Sequence, residues 1–227
     1  MNNIKIINGH IFTSKAQTLV NTINTVGVMG AGVALGFRLR YPDMYKRYKE
    51  LCKNKLIQIG KLWIFKAPDR WILNFPTKEN WKDESKIEYL EKGLQKFINT
   101  YKEKNITSIA FPILGSSHGK IPEEVSFNVM MKYLKQIDIP IEIYKLDLNV
   151  PDDVFFLLKT KLEDLSFKEI ISKTGIQKQY MKILFDNLNN DKIRNIASLS
   201  EVDGIGVKTL EKVFDFIYER QSKEFDN

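Results

Sequence analysis

The chain has 227 residues, 43% of them hydrophobic and 28% charged, a composition typical of a globular protein. Its formal net charge of +7 suggests an acidic partner, and a soluble, lysine-rich protein is the alternative. Its single cysteine, Cys52, excludes an intrachain disulfide and is typical of proteins of the reducing cytosol. The sequence has no run of about 18 apolar residues and no basic-then-apolar signal peptide, so we expect a cytoplasmic protein without a membrane partner.

Strand-like and helix-like segments alternate over the first 150 residues. Short β-branched runs predict strands, and runs with apolar residues every three or four positions predict amphipathic helices. In chain order we predict strands 3–8 and 18–24, a helix 32–54 interrupted near Pro42, strands 61–67 and 70–76, helix 85–105, strand 108–114, helix 122–137 and strand 141–147. This alternation predicts an α/β domain with a largely parallel sheet, whose ligands bind beyond the carboxyl ends of the strands.

The pattern changes near residue 150. Beyond it the sequence shows only short amphipathic helical runs, at 152–165, 166–174, 177–189 and 208–220. Residues 1–150 contain 23 basic and 14 acidic side chains, a balance of +9, whereas residues 151–227 contain 12 and 14, a balance of −2. We therefore predict an α/β domain over 1–150 and a small all-α domain over 151–227, with the basic character in the first.

The first candidate binding loop follows the second predicted strand. That strand ends in Asn21 and Asn24, and a loop with three glycines leads into a helix. Glycines let backbone amides approach a ligand, a helix N-terminus favours phosphate, and asparagine can hydrogen-bond ribose hydroxyls. The spacing matches neither the Rossmann nor the Walker motif. A glycine turn that only packs the helix on the sheet is the structural alternative.

Two further strand ends carry candidate groups. The strand at 108–114 runs into a loop with Gly115 and Gly119, and two such loops could bind a diphosphate from both sides. Lys78 follows the strand at 70–76, so we expect it at the same edge of the sheet. For each loop, the alternative is a turn that serves only the packing of the fold. For Lys78, the alternative is an ordinary solvated lysine on an exposed loop.

Three stretches, in this order and spacing, resemble the macro domain family, and most closely the macro domains of DarG antitoxins, which remove ADP-ribose from DNA bases: NTINTVGVMGAGVALGF, FPTKENW and FPILGSSHGKI. The resemblance covers about residues 1–147 and implies a three-layer α/β/α fold with a mixed central sheet. It implies catalytic roles for Lys78, Asn24 and Asn21. It implies ADP-ribose contacts for His10, Ile11, Gly27, Val28, Met29, Gly30, Gly32, Val33, Thr77, Leu114, Gly115, Ser116, Ser117, His118 and Gly119.

The implied chemistry is cleavage of an N-glycosidic bond. A neutral lysine amine can attack the anomeric carbon, provided that burial or nearby positive charge depresses its pKa. The chain departs from the family where His10 replaces a frequent adenine-binding aspartate, and where its second loop carries Ser117 and His118. His118 could donate a proton, stack on ribose or be structural. Two histidines and one cysteine do not favour a zinc site, and we predict neither a metal nor a cofactor.

Nucleic-acid contacts are predicted at two places. Trp81 and Tyr89 could stack on an extruded base, although either could belong to the core. A stretch near the carboxyl end resembles a helix–hairpin–helix, in which Gly204, Gly206 and Lys208 would contact a DNA phosphate. The −2 balance of this region argues against strong duplex binding. In DarG antitoxins the corresponding region is associated with binding the toxin, so a protein partner is the alternative.

Together these features predict a DNA ADP-ribosyl glycohydrolase, acting as antitoxin to a DarT-like DNA ADP-ribosyltransferase. Its partners would be ADP-ribose, ADP-ribosylated DNA and the cognate toxin. One alternative is an ADP-ribose reader without turnover, which has no need of Lys78. Another is a hydrolase of ADP-ribosylated protein, but enzymes of that kind carry a loop aspartate that is missing here.

Overall fold

A computed structural model describes residues 3–163, 165–188, 190 and 192–220. The chain forms two compact units, which divide between Asp147 and Leu148, close to the change of pattern in the sequence. Within the described ranges, no helix combines the length and apolar character needed to cross a membrane.

The first unit contains a six-stranded sheet in the order β1-β6-β5-β2-β4-β3. All neighbouring strands are parallel except β3 and β4, which form an antiparallel pair, so the sheet is mixed. The strands are β1 (Ile4–Gly9), β2 (Thr18–Ile23), β3 (Trp63–Lys66), β4 (Trp71–Pro76), β5 (Ile109–Pro112) and β6 (Ile141–Leu146). The helices are α1 (Gly32–Arg40), α2 (Pro42–Lys53), α3 (Ile87–Thr100) and α4 (Glu123–Leu134), with a 3-10 turn at Ile11–Thr13.

The helices cover both faces of the sheet because successive strand residues point to opposite sides. Leu19 and Ile72 pack in one buried cluster with residues of α1 and α2. Their neighbours Val20 and Leu73 pack in a second cluster with residues of α3 and α4. The predicted three-layer α/β/α fold is therefore confirmed.

The predicted interruption of the helical segment 32–54 near Pro42 is confirmed, because the segment forms the two helices α1 and α2. Pro42 is the first residue of α2, where its missing N–H costs nothing, and Tyr41 before it leaves helical geometry at φ −128° and ψ 69°. The helix predicted at 85–105 is shorter at both ends, since α3 begins at Ile87 and ends at Thr100.

The second unit is helical over its described residues, as predicted. Its helices are α5 (Asp153–Glu163), α6 (Phe167–Thr174), α7 (Lys178–Leu188), α8 (Ile196–Ser200) and α9 (Val207–Ile217). Ser166 and Glu169 form a reciprocal capping box at the start of α6, and Gly175 ends that helix in the left-handed conformation. The short helix α8 is absent from the predicted set; together with α9 it flanks the turn that contains Gly204 and Gly206.

Candidate functional site

The first glycine loop folds around the side chain of Asn24, just beyond β2. The Asn24 Oδ1 accepts hydrogen bonds from the backbone N–H groups of Val26 and Val28 at 3.1 and 3.2 Å, and its Nδ2 donates to the Val28 carbonyl at 2.6 Å. The Tyr48 hydroxyl donates to the Asn24 carbonyl at 2.7 Å. The buried asparagine therefore sets the shape of the loop.

The loop then presents backbone rather than side chains towards α1. Gly27 and Gly32 have φ angles of +85° and +56°, which non-glycine residues rarely adopt. Met29 is buried beneath the loop, while Gly30 is exposed, and a Cβ there would make only an ordinary contact with the Val28 side chain at 3.8 Å. Ala31 precedes α1 and has no side chain that could cap its amides, so the helix N-terminus offers free N–H groups to an anion. Val28 and Val33 are half-buried beside this backbone.

The Asn21 side chain is buried where β2 pairs with β4. It pairs in register with Asn74 of β4, and its Nδ2 donates to the Asn74 Oδ1 at 2.9 Å. Both side chains are completely buried. Because alternate residues of β2 share a face, Asn21 points with Leu19 towards the α1–α2 layer. In this structure the Asn21 side chain is therefore paired with Asn74, a strand residue that the sequence motifs did not single out, and a role for Asn21 in orienting a ribose stays a prediction.

The second glycine loop follows β5 and is tightly closed. The Ile121 N–H donates to the Gly115 carbonyl at 3.1 Å, and Gly115 has a φ angle of +66°. A Cβ on Gly119 would lie 2.2 Å from the Gly115 carbonyl oxygen and 2.5 Å from the Ser85 Oγ, so only glycine fits there. Leu114 anchors the loop in the core.

The remaining members of this loop differ in exposure. Ser116 donates its hydroxyl to the Ile113 carbonyl at 3.0 Å, which orders the turn. Ser117 and His118 are exposed. These two side chains are therefore available to a ligand from solvent, while the Ser116 hydroxyl has a structural partner.

Lys78 is bonded to the second loop, and His118 of that loop lies against the first. The Thr77 N–H donates to the Ile23 carbonyl at 2.9 Å, so the chain stays paired with the end of β2 up to the residue before the lysine. The Lys78 Nζ then donates to the backbone carbonyl of His118 at 2.5 Å. The His118 ring lies over Gly32, where a Cβ would come within 2.9 Å of its Cδ2.

The surroundings of Lys78 favour its neutral form. The side chain is half-buried, and this burial is the main cause that lowers the pKa of its amine below the ordinary value of 10.5. The carboxylate of Asp83 raises the pKa, the ammonium of Lys120 lowers it, and Glu84 raises it. Glu84 also pairs with the Lys120 ammonium at 3.0 Å. Burial has the largest effect, so the pKa of Lys78 is lowered on balance, as expected for a lysine partly removed from water.

The two residues predicted to contact adenine follow β1, at the same edge of the sheet as the two loops. His10 and Ile11 are buried directly after β1, which is separated from β5 by β6. The His10 ring stacks on Phe12 at a centroid distance of 5.4 Å. The loops after β2, β4 and β5 lie on neighbouring strands, so an extended ligand could reach from them towards β1 across the carboxyl end of β6.

The residues predicted to contact nucleic acid are divided between the two units. Trp81 is 52% exposed, and the Lys82 ammonium lies 5.3 Å from the centre of its ring. Tyr89 is half-buried on α3.

Gly204, Gly206 and Lys208 belong to the second unit; Gly204 has a φ angle of +88°, and all three are exposed. Among the described residues, no group of three His, Cys, Asp or Glu side chains could hold a metal ion.

A mixed six-stranded sheet between two helical layers, with glycine loops at its carboxyl edge, is the architecture of a macro domain. Residues 20–130 match the family model described as "Macro domain", and the chain belongs to this family. The resemblance drawn from the three sequence stretches is confirmed.

Three relatives narrow the comparison within the family. The macrodomain of Thermus aquaticus DarG is 35% identical, with a TM-score of 0.60 over 63% of this chain and 97% of that one. Thermosipho africanus DarTG in complex with ADP-ribose is 35% identical, with a TM-score of 0.62 over 65% of this chain and 42% of that one. A curated "DNA ADP-ribosyl transferase-DNA ADP-ribosyl glycohydrolase fusion protein" of Thermosipho africanus is 34% identical over 170 residues, 66% of this chain. The chain spans only 44% of the length of that fusion protein.

Proposed function

We propose that the first unit is an ADP-ribosyl glycohydrolase that removes ADP-ribose from a DNA base. The observation that carries the proposal is the position of the Lys78 amine, partly buried and bonded to one glycine loop beside the other. A module that only binds ADP-ribose has no need of such an amine. The Thermosipho africanus relative is named as a DNA ADP-ribosyl glycohydrolase fused to a DNA ADP-ribosyl transferase, which supports this reaction.

In this proposal the two loops bind the diphosphate. The exposed backbone at Gly30 and the N-terminus of α1 supply amides on one side, and the loop at 115–119 supplies them on the other. The adenosine then extends towards His10 and Ile11 at the end of β1. Anchoring both ends of ADP-ribose places the anomeric carbon of the distal ribose near Lys78, and binding energy is thereby used to position the reacting atoms.

The reaction replaces one bond at the anomeric carbon in each of two steps. The neutral Lys78 amine attacks that carbon, the bond to the base nitrogen breaks, and the base leaves with the bonding electrons and takes up a proton from solvent. Water then attacks the same carbon, the lysine–carbon bond breaks, and free ADP-ribose and the amine are released. Asn24 contributes by shaping the loop against which the ribose lies.

DNA is the substrate that the charge of the first unit and the exposure of Trp81 favour. Residues 1–150 carry a balance of +9, and Trp81, which follows Lys78 by three residues, has an exposed ring. Enzymes that act on a base extrude it from the stack and bind it against aromatic faces. The modified base would stack on Trp81, with Lys82 next to the backbone phosphates.

We expect Trp81→Ala to raise the KM for an ADP-ribosylated oligonucleotide about tenfold, the loss typical of one base-stacking contact. The dissociation constant of free ADP-ribose, measured by calorimetry, should not change because the ring does not contact the nucleotide. Trp81→Phe keeps an aromatic face and should behave like the parent protein. Equal weakening of both ligands by Trp81→Ala would contradict a role in base binding.

The pH dependence of turnover tests the form of the amine. A nucleophilic lysine must be neutral, so kcat/KM should rise with pH through the pKa of Lys78. Lys120→Gln removes a cation that lowers this pKa and should move the rise to higher pH, whereas Asp83→Asn removes an anion that raises it and should move the rise to lower pH. Lys96→Gln changes the net charge on the exposed side of α3 and is the control. A kcat/KM that falls with rising pH would mean that Lys78 acts as a cation.

We further infer that the second unit binds a DarT-like transferase, so that the chain acts as a cytoplasmic antitoxin. Support comes from the fused Thermosipho africanus relative and from the −2 balance of residues 151–227, which suits a partner that itself binds DNA. Mixing the full chain with the purified transferase tests this, and no complex at micromolar concentration would reject it. Contact of Gly204, Gly206 and Lys208 with a DNA phosphate stays a prediction.

The deciding experiment offers the wild-type chain two substrates in parallel: an oligonucleotide with ADP-ribosylated thymine or guanine, and an ADP-ribosylated protein. We expect ADP-ribose release from the DNA alone. Release from the protein alone would favour the protein-directed hydrolase. Tight ADP-ribose binding without release from either would make the domain a reader.

A further inference from the structure

Ser85 has a buried hydroxyl without a hydrogen-bond partner among the described residues. The side chain is 8% exposed and its Oγ is inaccessible to solvent. A buried polar atom without a partner destabilises a fold, so it is rarely retained unless it has a function or a partner in another state. Nothing in the reaction outlined above uses this residue.

The hydroxyl lies inside the second glycine loop. The Ser85 N–H donates to the Gly119 carbonyl at 2.9 Å. Its Oγ lies 2.5 Å from where a Cβ of Gly119 would be and 3.2 Å from where a Cβ of Gly115 would be. The Gly115 carbonyl oxygen occupies the same small space, 2.2 Å from the first of these points. The serine therefore fills the space that the two glycines leave, next to a carbonyl that could accept a hydrogen bond from its hydroxyl.

Ser85 and Lys78 belong to one segment, residues 78–86, which contacts the loop at successive positions. Lys78 donates to the carbonyl of His118, and Ser85 donates to the carbonyl of the next residue, Gly119. The Lys120 ammonium then pairs with Glu84 of the same segment. A shift of this loop on binding a diphosphate would therefore move the carbonyl to which the Lys78 amine is bonded.

We propose that Ser85 is a positioning residue for Lys78. When a diphosphate binds the loop, the Ser85 hydroxyl donates to the Gly115 carbonyl and holds the loop in the conformation that fixes the His118 carbonyl and, through it, the Lys78 amine. This proposal rests on the proposed function for its effect on turnover. Its effect on the position of the lysine can be measured without turnover.

If Ser85 has only a structural role, the expected effect of Ser85→Ala on turnover is different. If Ser85 only fills space, alanine fills most of it and removes an unpartnered hydroxyl, so Ser85→Ala should leave turnover unchanged and the melting temperature equal or higher. If Ser85 positions Lys78, the melting temperature should still be equal or higher while turnover falls. A loss of turnover without a loss of stability is therefore expected only if Ser85 positions Lys78.

The first test compares Ser85→Ala with the parent chain on an ADP-ribosylated oligonucleotide. We expect kcat to fall about tenfold, as for a reacting group displaced by a fraction of an ångström, while the dissociation constant of ADP-ribose stays within about threefold. Ser108→Ala, at the amino end of β5, removes a hydroxyl that accepts from the Gln17 N–H and is the control. Unchanged kcat, or a proportional loss of kcat and affinity, would overturn the proposal.

The second test needs no turnover. Lysine amines are labelled competitively with acetic anhydride, with and without free ADP-ribose, and the labelling of Lys78 is compared with that of Lys96 and Lys135 by peptide mass spectrometry. We expect ADP-ribose to change the relative labelling of Lys78 in the parent chain and Ser85→Ala to lose at least about half of that change. The same change in both chains, or no change in the parent, would overturn the proposal. If this coupling is observed in a parent chain that releases no ADP-ribose from DNA, the proposed function fails and the role of Ser85 stands.

Discussion

Lys78→Ala is expected to lower the release of ADP-ribose from a modified oligonucleotide by at least about a hundredfold, the lower range for loss of a group that takes part in the chemistry. The affinity for free ADP-ribose should stay within about threefold, because the proposed binding contacts come from backbone amides of the two loops. Single-turnover kinetics and calorimetry on the same preparations measure the two effects separately.

Lys78→Arg is the matched control for this variant. Arginine keeps the positive charge and can donate to the His118 carbonyl, but it does not become neutral in proteins and cannot attack carbon. We expect it to be as inactive as alanine. Substantial turnover by Lys78→Arg would show that the residue stabilises charge instead, and full activity of Lys78→Ala would remove the basis of the proposed mechanism.

Gly119→Ala is expected to weaken ADP-ribose binding by at least about tenfold and to lower the melting temperature. The new methyl group would lie 2.2 Å from the Gly115 carbonyl oxygen and 2.5 Å from the Ser85 Oγ, so the closed loop must open. Core positions that cannot relax show losses on the order of 1–3 kcal/mol for such overpacking. Calorimetric titration with ADP-ribose and thermal unfolding of the same variant provide the two measurements.

Gly60→Ala separates general destabilisation from an effect on the site. Gly60 has a φ angle of +79° in a turn before β3, and its Cβ would meet the Lys92 side chain at 3.3 Å. It should lower the melting temperature and leave ADP-ribose affinity unchanged. If Gly119→Ala binds ADP-ribose as tightly as the parent chain, the loop at 115–119 does not bind the diphosphate.

Local patterns in the sequence were sufficient to predict most of the fold. Apolar periodicity identified the strands and helices of the first unit, and the order of the three glycine- and lysine-containing stretches identified the macro domain family. Pro42 marked the interruption between α1 and α2, because its geometry suits the first turn of a helix. The helix that the prediction missed, α8, has only five residues, too few to show a periodicity.

The sequence by itself determined the family, the alternation of elements, and the position of Lys78 and both glycine loops after strand ends, because these depend on neighbours along the chain. The tertiary structure alone decided that Asn21 pairs with Asn74, that the Lys78 amine is bonded to the His118 carbonyl, and that the Ser85 hydroxyl lies inside the second loop. These contacts join residues far apart in sequence. Their distances and burial depend on how strands and loops pack against one another, which no periodicity or short motif encodes.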